Sequence, residues 1–181
     1  NPLGEAGGDF HDTTTEEGFR TLRAQYFANV TLVDNQLGKI FEALEESGQA
    51  DNTIVVFTSE HGEMGGDHGM LEKRALYEEA SNVPFLMYVP WMTDMQPKRI
   101  PGSIGQVDLV PTLLDLSGSD IPDHLEGKSL RPVMRGEEDL SDNDVFIQWN
   151  GMGDRNLGST EINRMVAIPW RGVVTGDRWK L

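Results

Sequence analysis

Two side chains with metal-binding chemistry follow an apolar, β-branched segment of the chain. Glu60 and His61 come just after residues 53–58, with Ser59 between. A carboxylate and an imidazole can hold a divalent cation, and the glycines found between residues 62 and 66 would let the backbone turn close to it. The alternative is that Glu60 and His61 belong to a solvated loop that follows a buried strand.

Two further side chains could act on an anion bound near this pair. Lys73 follows the glycine-bearing loop, and an ammonium group there would neutralise an oxygen of a transferring sulfuryl or phosphoryl group. His68 could contact an anion or donate a proton. The alternatives are a surface lysine and a histidine that stabilises the loop. Glu63 and Asp67 could be extra metal ligands, although solvated positions are more typical of such residues.

Helices are predicted on either side of this region. Apolar residues recur at spacings of three and four from Phe19 to Leu44, which predicts an amphipathic helix. Thr13 or Thr14 fits the capping box at its start, and Gly48 is a plausible stop. A second helix is predicted between Asp108, as its cap, and Gly118.

The strands between these helices set the fold class. Residues 53–58 and 84–89 are apolar without alternation, as expected for strands covered on both faces. Buried strands separated by helices predict an α/β fold with a mostly parallel sheet sandwiched by helices. Ligands of such sheets bind beyond the carboxyl ends of the strands, which is where Glu60 and His61 lie.

Changes in composition along the sequence also predict a division of the chain into three parts. Residues 1–17 read as a linker, residues 18–135 as the α/β part, and residues 136–181 as the start of a smaller subdomain. That last part contains a predicted strand at Val145 to Trp149 and a terminal hairpin from Arg171 to Leu181.

Composition limits the possible partners. The net charge of −15 would repel nucleic acid phosphates and anionic lipid, so neither a nucleic-acid partner nor a membrane role is expected. The chain contains no cysteine, and it has no apolar run of membrane-spanning length. Its first residues lack the features of a signal peptide, so we expect an internal segment of a longer protein. Periplasmic, secreted and cytoplasmic locations all stay open.

The motifs together resemble a known family. The run from Thr58 to Gly69, with Lys73, Tyr77-Glu78-Glu79 and Val83-Pro84, is similar to the C-terminal half of the sulfatases, members of the alkaline phosphatase superfamily. Segments that resemble the family extend over about residues 20–181 in family order: Tyr26 to Gly38, Val107 to Gly118, Gly127 to Pro132 and Arg171 to Leu181.

The resemblance implies a sulfuric ester hydrolase that binds a divalent metal ion, calcium first, with manganese or magnesium as alternatives. Glu60 and His61 occupy two family ligand positions, and Lys73 matches the lysine that binds the sulfate group. The family nucleophile is a formylglycine made in a C/S-x-P-x-R motif. That motif and the early Asp-Asp pair are absent, so both are expected in an N-terminal half and the fragment alone should be inactive.

One position departs from the family pattern. The residue at Glu60 is normally Asp, and the extra methylene moves the carboxylate by roughly 1.5 Å. This departure is the visible sign of one alternative, a non-catalytic pseudoenzyme. The other alternative is a phosphonate or phosphate ester hydrolase of the same superfamily, because these enzymes share the metal-binding pair and differ in the nucleophile. The substrate class implied is a sulfate ester, either a small molecule or a glycan.

Overall fold

A computed structural model of the chain describes residues 15–73, 75–92, 97–151, 164 and 167–181. Its contacts divide the chain into two compact units, Asn1–Thr93 with Asn150–Pro169 and Asp94–Trp149 with Trp170–Leu181. The predicted linker over residues 1–17 lies largely outside the described residues. The boundary predicted after residue 135, between the α/β part and a smaller subdomain, rests on the change in composition there and stays a prediction.

The first unit contains a long helix close to where the sequence predicts one. This helix, α1, spans Glu16–Glu46. Thr15 caps it, because its hydroxyl oxygen accepts a hydrogen bond of 3.0 Å from the backbone N–H of Gly18. The predicted caps, Thr13 and Thr14, lie outside the described residues.

Helix α1 ends where the sequence predicts, but its predicted apolar face is largely exposed. Gly48 has a φ of +71° just beyond the helix, a conformation that favours glycine, so the predicted stop is confirmed. The apolar face, however, is largely uncovered in the described part of the chain, where Gly18 is the buried residue of the helix. Its half-exposed apolar side chains are Tyr26, Phe27, Val30, Val33 and Ile40.

Two short strands follow α1. Strand β1 spans Val55–Thr58 and pairs with β2, Phe85–Tyr88, in an antiparallel register that sets Thr58 opposite Phe85. The parallel arrangement expected for these strands is wrong for this pair. The connection from Thr58 to Phe85 is long enough for a parallel crossover, but the α-helix described within it, α2, Glu78–Ser81, has only four residues and does not carry the chain back along the sheet.

The expected cover on both faces of these strands is also not seen among the described residues. Leu86 and Tyr88 are each 59% exposed, and Phe57 is half-exposed. The strands themselves form where β-branched and aromatic residues predict them, so the prediction of two strands is correct. The described residues, however, do not form a layer that covers Phe57, Leu86 and Tyr88.

The second unit is built around helix α3, Leu109–Leu116, and the short helix α4, Arg131–Arg135. Thr112 joins them: its hydroxyl donates to the carbonyl of Asp108 at 2.6 Å and accepts from the backbone N–H of Leu130 at 2.9 Å. Because Thr112 is fully buried, this pair of hydrogen bonds replaces water that cannot reach it.

Asp108 has a different role from the cap that the sequence predicts. Its carboxylate accepts from the backbone N–H of Gly105 at 3.1 Å and of Lys128 at 3.0 Å, and makes no cap hydrogen bond to α3. One of these partners is three residues away and the other twenty, so the side chain joins two loops instead of capping α3.

The remaining strands form a second antiparallel pair. Strand β3, Val145–Trp149, matches the predicted strand and pairs with β4, Trp170–Val174. The chain then turns back, and Lys180 bridges to Val174, as the predicted terminal hairpin requires.

Candidate functional site

Glu60 and His61 project from the loop that begins where β1 ends. The Nε2 atom of His61 lies 3.5 Å from Oε1 of Glu60. Ser59 shapes this turn: its hydroxyl donates to the carbonyl oxygen of His61 at 2.8 Å and lies 3.3 Å from Oε2 of Glu60. The carboxylate is 80% exposed and the imidazole 33%, so both can be reached from solvent.

The imidazole of His61 is held in one tautomer. Its Nδ1 lies 2.8 Å from the carbonyl oxygen of Gly62, which can only accept, so Nδ1 carries the proton. When the ring is neutral, the lone pair is then on Nε2, beside the Glu60 carboxylate. A ring nitrogen fixed in this way is the usual form of a metal-binding histidine.

Local hydrogen bonds and charges keep the Glu60 carboxyl ionised. A backbone hydrogen bond lowers its pKa below the ordinary 4.5, and His61, Ser59 and the positive charge of Lys73 lower it further. Lys73 is exposed and acts on Glu60 through this charge. His61 and Lys73 therefore both act on the carboxyl group of Glu60.

The loop between His61 and Lys73 is held by its own side chains. Oε1 of Glu63 accepts hydrogen bonds from the backbone N–H groups of Gly65 at 3.1 Å and Glu72 at 2.7 Å. Asp67 forms an ion pair of 2.9 Å with Arg23 of α1. Glu63 and Asp67 thus have structural partners.

Helix α2 contacts the segment that carries the candidate pair. The backbone N–H of Gly62 donates to the carbonyl oxygen of Ala80 at 2.9 Å. A Cβ atom at Gly62 would overlap the carbonyl oxygen of Glu79, so glycine is needed for this close approach. Met64, Met70 and Ala80 form a small buried cluster beneath the loop.

His68 lies in a separate set of contacts. Its ring stacks on Tyr77, with centroids 3.9 Å apart and an interplanar angle of 7°. Its Nε2 lies 3.5 Å from Oε1 of Glu79. The described contacts of His68 are with these residues rather than with Glu60 or His61. Tyr77 and Glu79 belong to the family-like motif, but sequence reasoning gave neither of them a role.

The donor set at the end of β1 is that of an incomplete metal site. The Glu60 carboxylate suits Ca²⁺, Mg²⁺ or Mn²⁺, and the His61 imidazole shifts this preference towards Mn²⁺. The 3.5 Å between Nε2 of His61 and Oε1 of Glu60 resembles the spacing of neighbouring ligands on one ion. Among the described residues, no group of three or more His, Asp or Glu side chains could hold a metal ion. The two residues therefore fit a metal ion but need further ligands.

Comparison with known proteins gives the family. The sulfatase family profile matches residues 4–119. This chain belongs to the sulfatase family, whose members are hydrolases and generally use a metal ion.

Individual relatives agree with this assignment. Arylsulfatase K of Xenopus laevis is 38% identical over 120 residues, which are 66% of this chain and 22% of that protein. A solved enzyme in complex with its substrate, D-glucosamine-2-N,6-O-disulfate, has a TM-score of 0.64 and 28% identity, covering 83% of this chain and 29% of that one.

A second class of enzyme in the superfamily is also similar in fold. The phosphonate monoester hydrolase of Silicibacter pomeroyi has a TM-score of 0.71 and 29% identity, covering 99% of this chain and 39% of that one. The chain is a partial α/β unit of the alkaline phosphatase-like fold, so the predicted fold class is confirmed at that level. Among the described helices, none is long and apolar enough to cross a membrane.

Proposed function

We propose that the protein containing this chain is a metal-dependent sulfuric ester hydrolase. The observation that carries the proposal is the sulfatase match, supported by the adjacent Glu60 carboxylate and His61 imidazole at the end of one strand. The chain spans 22% of the length of its Xenopus relative. We therefore infer that activity requires a complete sulfatase domain and that the 181 residues alone do not turn over a sulfate ester.

Glu60 and His61 hold the metal ion in this proposal. The carboxylate is kept ionised by its neighbours, and Nε2 of His61 has its lone pair available. Calcium is the first candidate because the expected ligand set is mainly oxygen, while an imidazole makes Mn²⁺ an alternative and Mg²⁺ a third. When bound, the ion supplies positive charge that polarises a sulfuryl oxygen.

Lys73 supplies a second positive charge. The positive charge of its ammonium group lowers the pKa of Glu60, which supports a role for Lys73 near the candidate metal pair. In the proposed reaction it binds a sulfuryl oxygen and neutralises charge there while the nucleophile attacks sulfur. We expect that nucleophile, a formylglycine in this family, from residues outside this chain.

Hydrolysis of a phosphonate or phosphate ester is the second candidate. The fold similarity to the phosphonate monoester hydrolase supports it. A pseudoenzyme is the third, with Glu60 in place of the family Asp as its sign. Sulfated glycans come first among the possible sulfate esters, because the substrate-bound structural neighbour acts on a disulfated glucosamine.

The test compares esters that share one leaving group. The complete protein is assayed with 4-nitrophenyl sulfate and 4-nitrophenyl phenylphosphonate, before and after metal removal by a chelator. Metal-dependent release from the sulfate, reduced at least a hundredfold by Lys73→Ala and unchanged by Lys39→Ala, supports the proposal. Preference for the phosphonate favours the second candidate, and no release from either ester or from a sulfated glucosamine favours the pseudoenzyme.

A further inference from the structure

A second set of polar side chains lies against the loop that follows β1. Tyr77 covers the ring of His68 in a parallel stack, and Oε1 of Glu79 lies 3.5 Å from Nε2 of the same ring. We infer that Tyr77 and Glu79 are positioning residues for His68: Tyr77 sets the plane of the imidazole, and Glu79 selects the tautomer with the proton on Nε2.

The backbone at His68 shows how closely this residue is held. Its φ of +55° and ψ of +20° are left-handed values, which a non-glycine residue adopts at a cost of about 1 kcal/mol. Such a conformation persists where the surroundings enforce it. Here Asp67 is bound to Arg23, and the backbone N–H of Met70 donates to the carbonyl of Asp67 at 3.0 Å.

Glu79 is held from the other side. It lies on α2, whose backbone is in close contact with Gly62. Its Oε2 atom is buried and has no hydrogen-bond partner among the described residues. Burying part of a carboxylate is costly unless a donor compensates for it, and Nε2 of His68, 3.5 Å from the other oxygen, Oε1, is the ring nitrogen that faces this side chain.

The arrangement has a chemical consequence. With Nε2–H directed to Glu79, Nδ1 carries the lone pair, so it can accept a hydrogen bond from a hydroxyl group of the substrate. His68 remains about half exposed, so a ligand can reach it. The same short helix contacts both Gly62, next to His61, and the ring of His68. This consequence for the substrate rests on the proposed function, whereas the positioning itself does not.

The experiment on positioning uses the 181-residue chain labelled with ¹⁵N. Long-range ¹H–¹⁵N spectra distinguish the two imidazole tautomers, and the spectrum of His68→Gln identifies the signals of His68 among the four histidines. We expect the Nε2–H form in the unmodified chain and a mixture of tautomers in Glu79→Ala. Glu78→Gln, one residue away on α2, is the matched control and should leave the His68 signals unchanged.

The stack is tested in the same spectra. Tyr77→Phe keeps an aromatic ring and should keep the upfield shift of the His68 ring protons, whereas Tyr77→Leu should abolish it. Circular dichroism checks that each variant is folded. Identical ring signals in the unmodified chain, Glu79→Ala and Tyr77→Leu would overturn the inference.

An activity measurement on the complete protein separates this inference from the proposed function. If the protein hydrolyses sulfate esters, Glu79→Ala should lower kcat/KM about tenfold and Glu78→Gln should not. An altered tautomer with unaltered kcat/KM would refute the role of His68 at the substrate. Absence of sulfatase activity, with the tautomer change still present in the spectra, would refute the proposed function alone.

Discussion

At the scale of single residues, Gly62 has the strictest requirement in the candidate site. It follows His61, donates to the carbonyl of Ala80, and leaves no room for a side chain beside Glu79. The sequence indicated glycine-rich flexibility here, but the structure shows a close backbone contact. Gly62 therefore sets how near α2 can approach the candidate metal pair.

A side chain at Gly62 should be destabilising. Gly62→Ala is expected to lower the free energy of unfolding by about 1 to 3 kcal/mol, the usual cost of overpacking, because its Cβ would overlap a backbone oxygen. Gly38→Ala is the matched control: no atom lies within 4 Å of its Cβ, and alanine favours a helix. Urea denaturation measures both, and equal effects of the two changes would contradict this argument.

Glu60 carries the departure from the family pattern. Its carboxylate is exposed and ionised, so its reach rather than its charge should decide how well it binds a metal ion. We expect Glu60→Asp in the complete protein to raise calcium affinity by about tenfold or to change the preferred metal. Calorimetric titration with Ca²⁺ and Mn²⁺ measures this, and identical affinities in both proteins would refute the hypothesis that the longer side chain matters.

At the scale of elements, side chains that reach across loops hold the second unit together. Asp115 on α3 accepts a hydrogen bond of 2.6 Å from the Ser129 hydroxyl and one of 2.7 Å from the Arg131 guanidinium. These two contacts lower the pKa of Asp115 below its ordinary 3.8, with Ser129 the larger cause. They tie α3 to the start of α4.

The contacts of Asp115 with Ser129 and Arg131 should make the stability of the fold depend on pH. Because the pKa of Asp115 is lowered in the folded state, its contribution is complete above the ordinary value and is lost as the pH falls below it. We expect Asp115→Asn to cost about 1 kcal/mol at pH 7, since the pair is partly open to water, and to cost less under acid conditions.

The measurement is chemical denaturation of both proteins at pH 7 and at pH 3. Asp139→Asn, whose pKa is also lowered but whose partner Ser141 lies in the same turn, is the comparison, and we expect it to have a smaller effect on stability. A loss in Asp115→Asn that stays constant between the two pH values would contradict the assignment.

At the scale of the whole molecule, the chain carries more apolar surface than its described residues cover. Helix α1 has 31 residues, yet Gly18 is its buried residue. Its N-terminal part is tied to the first unit, since the Arg23 guanidinium donates to the carbonyl of Gly65 at 2.9 Å and the ring of Phe19 lies against Gly66.

This uneven support predicts a gradient of local stability along α1. Helices without tertiary packing are marginal in water, so amides of residues 30–46 should exchange with solvent at least tenfold faster than those of residues 18–23. The amide of Leu130, bonded to the buried Thr112 hydroxyl, should exchange more slowly than either group. Hydrogen exchange read by NMR measures the three classes. Uniform slow exchange along α1 would show that its apolar face is covered in solution.

The sequence by itself determined the local elements and the adjacent pair of candidate ligands. The apolar period of α1, the β-branched run of β1 and the glycines at 48 and 118 act over a few residues, so they can be read directly. Glu60 and His61 are neighbours in the chain and needed no fold to be brought together. The family followed from motifs in order along the chain, and the comparisons confirm it.

Tertiary structure alone decided the contacts between residues far apart in sequence. No local pattern in the sequence predicts the antiparallel pairing of β1 with β2 or the hydrogen bond between Asp108 and Lys128. The same holds for the Glu63 carboxylate, which accepts a hydrogen bond from the backbone N–H of Glu72. The approach of Tyr77 and Glu79 to His68 belongs to the same class. Such contacts depend on the paths of the loops and on which polar groups lack a hydrogen-bond partner within their own element. The periodicity of the sequence does not determine which of several available partners each group binds.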